Sequence, residues 1–174
     1  GEPNGYQCHT YGLNFFIPLS GTGMSYADPY SFTSSIGSAV VLNWKLTNPD
    51  MSIPDMQECV KRFKELRPYF YEDYYPLTGI SDLTGDDVWL AYQLNKPSDN
   101  SGIIVAFRRK DNKSDTLSVK LQGLNQESIY SVFDNNNVRM VTKSGKNLAE
   151  GLTLHIPEAP GALILKYQPG VKVD

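Results

Sequence analysis

The period of apolar positions changes part-way along the chain. Leu13 to Leu19 is a short, nearly continuous apolar run. Such a run is typical of a strand buried on both faces of a parallel sheet, and Pro18 marks its end. Ser20-Gly21-Thr22-Gly23 reads as the loop that follows. Asp28 then caps a short helix over Tyr30 to Ile36, with Pro29 at its first position, and Gly37 stops it. Ser38 to Trp44 reads as a second buried strand, followed by a turn at Thr47-Asn48-Pro49-Asp50. Ser52 caps the clearest helix. Pro54 lies in its first turn, and Asp55 three residues after the cap is a variant of the capping box. Met56, Cys59, Val60, Phe63, Leu66 and Phe70 recur at helical spacing on one face, and Lys61, Arg62, Lys64 and Glu65 fill the other. Pro68 strains or ends this helix.

Strand, helix, strand, helix is the order of βα units in a parallel sheet. Two such strands do not make a stable sheet unaided, because both faces need cover and both edges stay open. Residues 1–75 therefore read as the tail of an α/β domain whose other strands lie outside this sequence.

Beyond Tyr75 the period becomes two. Tyr74 to Gly79 breaks the helical spacing and begins a connection. Strands are expected over Val88 to Leu94, Gly102 to Arg108, Thr116 to Leu121, Ile129 to Asp134, Asn137 to Thr142, Leu152 to Ile156 and Ala162 to Tyr167. Clusters of turn-forming residues separate most of them. Short strands spaced by about 8–12 residues argue for an antiparallel β-sandwich over residues 76–174. No helix longer than a turn or so, near Lys146 to Glu150, is expected there. The fold class is thus α+β in two parts.

Composition sharpens the division. Residues 1–75 hold 14 of the 20 aromatics, with 5 Lys+Arg against 8 Asp+Glu, whereas the remainder holds 6 aromatics and 11 residues of each charge. Aromatic-rich, slightly acidic surfaces suit neutral sugars, and equally suit cores and interfaces. The formal net charge of −3 gives no basic excess for a nucleic-acid partner. No window of about 18 apolar residues could cross a membrane as a helix. The first residues carry no basic-then-apolar leader. The chain begins with Gly rather than Met, so a start elsewhere is expected. Two cysteines, Cys8 and Cys59, do not make a disulfide framework, and with His9 and His155 they show no metal-ligand spacing. No metal and no cofactor is implied.

Candidate chemistry is sparse. Glu72-Asp73 and Asp86-Asp87 are adjacent acids, but glycoside hydrolysis needs two carboxyls about 5–10 Å apart across a sugar, usually from separate elements. Solvation or turn hydrogen bonding accounts for both pairs. Cys8-His9 lacks a third, orienting group for a thiol nucleophile. Asn43-Trp44 is more informative, because it falls at the carboxyl end of a strand, where α/β folds place their sites. Trp44 either stacks on the C–H face of a sugar or closes the sheet end against the next helix, and the Asn43 amide could bond hydroxyls. Pro18, Leu19 and Ser20 hold the matching place on the preceding strand.

Several segments, taken in order, carry a resemblance. They are Gln7 to Leu13, Phe16-Ile17-Pro18, Gly21-Thr22-Gly23, Asp28 to Phe32, Leu66 to Phe70, Asp73 to Thr78, Asp86 to Leu94 and Ala106 to Arg109. Together the series resembles the C-terminal portion of α-galactosidase-like enzymes of glycoside hydrolase family 36. The resemblance implies the last βα units of a (β/α)8 barrel over residues 1–75, then a C-terminal antiparallel β-sandwich of about seven strands. It implies a retaining α-glycosidase parent with an aspartate nucleophile and an aspartate acid/base, both on earlier barrel strands. No catalytic residue is therefore assigned here, and the chain alone is expected to be inactive. Substrate contact is expected at Trp44 and Asn43. The implied partners are a galactoside-type carbohydrate, met through the parent enzyme, and the missing N-terminal part of the barrel. Assembly as a homo-oligomer stays open. The competing reading is a non-catalytic carbohydrate-binding β-sandwich, which would expose a row of aromatics among Trp89, Tyr92, Phe107, Tyr130, Phe133 and Tyr167.

Overall fold

The structure is a computed structural model that describes residues 2–13, 16, 21–49, 52–79 and 84–170. The chain divides into two compact units, Gly1–Tyr71 and Glu72–Asp174.

The first unit opens with helix α1 (Glu2–Leu13), which has no apolar stripe. Its buried face is Gln7, Thr10 and Tyr11, so its packing is largely polar. Gln7 Nε2 donates to Tyr30 Oη and to Ser34 Oγ, both at 2.9 Å. The expected strand over Leu13 to Leu19 falls mostly outside the described residues, and Leu13 itself ends α1. Strand β1 (Gly21–Met24) occupies what reads from sequence as a loop. Gly21 and Gly23 have no side chain to register an apolar period, and the ladder with a neighbour makes the strand.

Helix α2 (Pro29–Ser35) starts as expected, with the Asp28 carboxylate accepting from the Ser31 N–H at 2.9 Å and Pro29 in its first turn. Its Thr33, Ser34 and Ser35 hydroxyls are satisfied by carbonyls one turn back, at 2.7, 2.8 and 2.7 Å. Strand β2 (Ala39–Leu42) pairs parallel with β1, Gly21 opposite Ala39 through Met24 opposite Leu42. The sequence suggests a buried strand here, yet Val41 is 62% and Leu42 46% exposed. The described sheet has two strands, and Val41 and Leu42, adjacent in β2, lie on its opposite faces. Helix α3 (Ile53–Leu66) begins at the Ser52 cap and buries Met56, Cys59 and Leu66. It tightens into a 3-10 turn over Arg67–Tyr71, where Pro68 removes a donor from the α-helical ladder.

The second unit is a lopsided sandwich. Its strands are β3 (Asp73–Pro76), β4 (Trp89–Lys96), β5 (Ser101–Arg108), β6 (Thr116–Val119), β7 (Ile129–Phe133), β8 (Arg139–Ser144), β9 (Leu152–His155) and β10 (Gly161–Pro169). The seven expected strands are present. The stretch read as a connection after Tyr74 supplies the extra one: Asp73 to Pro76 pairs antiparallel with β4 as an edge strand, where Pro76 is tolerated. One sheet has the order β3-β4-β5-β10-β7-β8, and the other is β6-β9 alone. Their facing side chains, with Leu148 of the short helix α4 (Gly145–Glu150), form one apolar core. It includes Ala91, Ile104, Val132, Leu152 and Leu154, each at most 5% exposed.

A buried polar group of residues pins the strands in register. Gln93 Nε2 donates to Tyr167 Oη and to the Gln122 carbonyl, each at 2.8 Å. Tyr167 Oη donates to Asn95 Oδ1 at 2.7 Å, and the Gln93 carboxamide oxygen accepts from the Gln122 N–H. Gly102 makes room for it, because a Cβ there would lie 2.1 Å from Tyr167 Oη. Arg108, 8% exposed, ties the adjacent loops by donating to the Ile156, Pro157 and Asn112 carbonyls.

Candidate functional site

The parallel register of β1 and β2 brings their carboxyl ends, Met24 and Leu42, side by side. The chain then leaves the ladder through Asn43, whose N–H donates to the Met24 carbonyl at 2.9 Å. The neighbour of Asn43 on the preceding strand is therefore Met24, not Pro18, Leu19 or Ser20, which lie outside the described residues.

Asn43 is exposed, and its carboxamide folds back over β1. A Cβ at Gly23 would come 2.7 Å from Asn43 Nδ2 and 3.5 Å from the Tyr6 hydroxyl. Only a residue without a side chain leaves room for that approach. The strand ends thus gather an amide from β2 and a phenol from α1. Tyr6 is the member that sequence reading missed, because α1 has no apolar period to place it.

Trp44 follows, half-buried. Its indole Nε1 is buried and has no hydrogen-bond acceptor among the described residues. A buried donor left unpaired costs roughly 1–3 kcal/mol, so native structures seldom keep one. Thr10 Oγ1, in the same unit, is in the same position. A planar apolar face, an unpaired N–H, an amide and a phenol are the groups that bind a neutral hydroxylated ligand.

A second concavity, of about 510 Å³, lies between the start of α2 and the first half of α3. Asp28, Asp55, Glu58 and Arg62 line it, around the buried Cys59. Asp28 is engaged in capping α2, and the Arg62 guanidinium lies 5.6 Å from the centre of the Phe32 ring. Burial pushes the Cys59 thiol up, which keeps it protonated and unreactive.

The other candidate groups do not assemble. Asp86 is half-buried and pairs with Lys110 at 2.8 Å, Asp73 begins β3, and the Asp87 carbonyl accepts from Asn112. Cys8 and Cys59 are not joined in a disulfide. His155 lies 3.3 Å from Asp115, on the second unit. Among the described residues no group of three His, Cys, Asp or Glu could hold a metal ion, and no helix is long and apolar enough to cross a membrane. Of the aromatics a sugar-binding sandwich would display, Tyr92, Phe107, Tyr130 and Tyr167 are at most 1% exposed. Trp89 and Phe133 are half-buried.

No protein-family model and no curated protein matches the sequence. Solved structures do match. One is a variant of the GH36 alpha-galactosidase AgaA from Geobacillus stearothermophilus in complex with 1-deoxygalactonojirimycin, at TM-score 0.66 and 13% identity over 87% of this chain and 22% of that one. The chain shares its fold with part of an α-galactosidase. A second match, the alpha-galactosidase from Lactobacillus brevis, agrees at TM-score 0.65 and 13% identity over 88% of this chain and 23% of that one. The chain thus spans under a quarter of the length of these two α-galactosidases. The family resemblance carried by the sequence segments and the fold agree.

Proposed function

We propose that the chain is the C-terminal portion of an α-galactosidase-like retaining glycoside hydrolase. In this reading the first unit supplies the closing βα units of a (β/α)8 barrel, and the second is the sandwich that braces it. The observation that carries the reading is the fold similarity to two α-galactosidases over 87–88% of this chain. The first unit adds support. Its two parallel strands leave Val41 and Leu42 of β2 exposed, and it buries two polar atoms, Thr10 Oγ1 and Trp44 Nε1, without partners among the described residues. Exposed apolar strand residues are a deficit that further strands would remove.

The chain's own contribution is positional. Trp44 and Asn43 would border the sugar site at the carboxyl ends of the strands, Trp44 by stacking and Asn43 by bonding hydroxyls. The reaction would run on two aspartates carried by earlier strands. Two strands cannot by themselves hold a nucleophile, an acid/base and a sugar in attack geometry, so the chain alone is expected to turn over no α-galactoside. In the product of the reading frame extended upstream, Trp44→Ala is expected to lower kcat/KM at least tenfold with the fold retained. An unchanged kcat/KM would return Trp44 to a packing role. The carbohydrate-binding sandwich is not favoured, because the buried aromatics leave no exposed row on the second unit's described strands.

A further inference from the structure

The two faces of the β1–β2 ladder differ. Met24, Val40 and Leu42 line an apolar cavity of about 230 Å³ together with Cys59, Val60 and Phe63 of α3. A helix thus covers that face. Side chains alternate along a strand and paired residues share a face, so Gly23 and its partner Val41 lie on the opposite one. The Asn43 side chain joins them there, because its Nδ2 is the atom nearest to the place a Cβ on Gly23 would take, at 2.7 Å. Val41 is 62% exposed on this face. In a (β/α)8 barrel the helices cover the outer face, so in the barrel proposed for this unit the face of Gly23, Val41 and Asn43 is the inner one. Gly23 and Asn43 lie at the carboxyl ends of their strands, where such barrels carry their sites.

Gly23 is the bare position of this end. A glycine inside a strand weakens it and marks a place that something approaches closely. Here the Asn43 carboxamide and the Tyr6 hydroxyl converge, at 2.7 and 3.5 Å from the missing Cβ. Tyr6 is half-buried and comes from α1, whose next residue, Gln7, is committed to Tyr30 and Ser34 of α2. Neither the Asn43 carboxamide nor the Tyr6 hydroxyl makes a hydrogen bond among the described residues. An amide folded back over a strand gives up rotamer freedom, and here no intramolecular bond offsets the loss. We propose that Tyr6 and Asn43 together read one hydroxyl of the sugar, with Gly23 making room for the amide. This pairing, which rests on the barrel reading above, makes Tyr6 a specificity-determining residue. The amide nitrogen donates and the phenol oxygen accepts, so a single sugar hydroxyl satisfies both. A site built to bond a hydroxyl rejects the analogue that lacks it.

The product of the reading frame extended upstream, assayed on p-nitrophenyl α-galactoside and on its 2-, 3-, 4- and 6-deoxy analogues, tests this. Tyr6→Phe and Asn43→Ala should each lower kcat/KM on the parent substrate at least threefold. Gly23→Ala, which displaces only the end of the flexible Asn43 side chain, should do the same. On one analogue, the one lacking the hydroxyl that the pair reads, the three losses should vanish. A merely structural role would cost the same factor on every substrate. Turnover by the unsubstituted protein with losses under threefold, or with equal losses on all five substrates, would overturn the pair and leave the barrel reading standing. An extended protein that turns over none of the five would overturn the barrel reading itself, and the pair with it.

Discussion

The Tyr167 hydroxyl is the hub on which the second unit's register rests, and Tyr167→Phe removes it alone. The hydroxyl accepts from Gln93 Nε2 at 2.8 Å and donates to Asn95 Oδ1 at 2.7 Å, with all three side chains at most 1% exposed. The substitution leaves one Gln93 N–H and the Asn95 carboxamide oxygen buried without that partner. Each orphaned group costs about 1–3 kcal/mol. A loss of about 2–4 kcal/mol is expected for the unit, because the side-chain volume barely changes. The chain has two units, so a single melting curve would mix their transitions. Amide hydrogen exchange separates them. At Ile104 and Leu165, in the adjacent strands β5 and β10, exchange should quicken by roughly 30- to 700-fold, since each 1.4 kcal/mol is tenfold. A change below threefold would refute the claim that the buried triad holds the strands.

Three further outcomes follow from the same sheet. Gly102→Ala would put a Cβ 2.1 Å from Tyr167 Oη and 2.4 Å from the Leu94 carbonyl. It should cost about 2–3 kcal/mol by the same exchange measurement. Arg108→Met releases three carbonyls, of Ile156, Pro157 and Asn112, and should lower the melting temperature of the second unit while leaving exchange in α3 unchanged. Hydrogen bonds from Lys96 and Ser101 hold the Asp99 carboxyl below its ordinary range, and Lys110 does the same for Asp86. A carboxyl depressed on folding stabilises above the unfolded carboxylate range, and that contribution is lost as the pH falls through the folded value. Thermal stability should therefore drop on acidification. Asp99→Asn should be less stable than the parent at neutral pH and converge with it in acid, as followed by circular dichroism.

The sandwich was legible because its residues alternate and its turns are punctuated. Leu117 to Leu121 and Leu152 to Ile156 show period two, and Asp134 to Asn137 supplies a turn in which Asn137 takes a φ of 59°. β3 was not legible, because Asp73-Tyr74-Tyr75-Pro76 has no alternation and becomes a strand only by pairing with β4. α1 escaped for a different reason. Its buried face is made of Gln7, Thr10 and Tyr11, and hydrogen bonds to α2 replace the aliphatic stripe a helix usually shows. β1 was hidden by its two glycines. Of the candidate site, Asn43 and Trp44 stood out in the sequence by position at a strand end, while Tyr6 entered only through the close approach over Gly23. That the Trp44 indole N–H has no partner among the described residues had no sequence signal, since hydrogen-bond satisfaction is a property of the fold.

The most direct test of the central claim is hydrolysis of p-nitrophenyl α-galactoside by two purified proteins, the 174-residue chain and the product of its reading frame extended upstream. Turnover is expected from the extended protein and none from the chain alone. Turnover by the pure chain, or none by the extended protein, would contradict it.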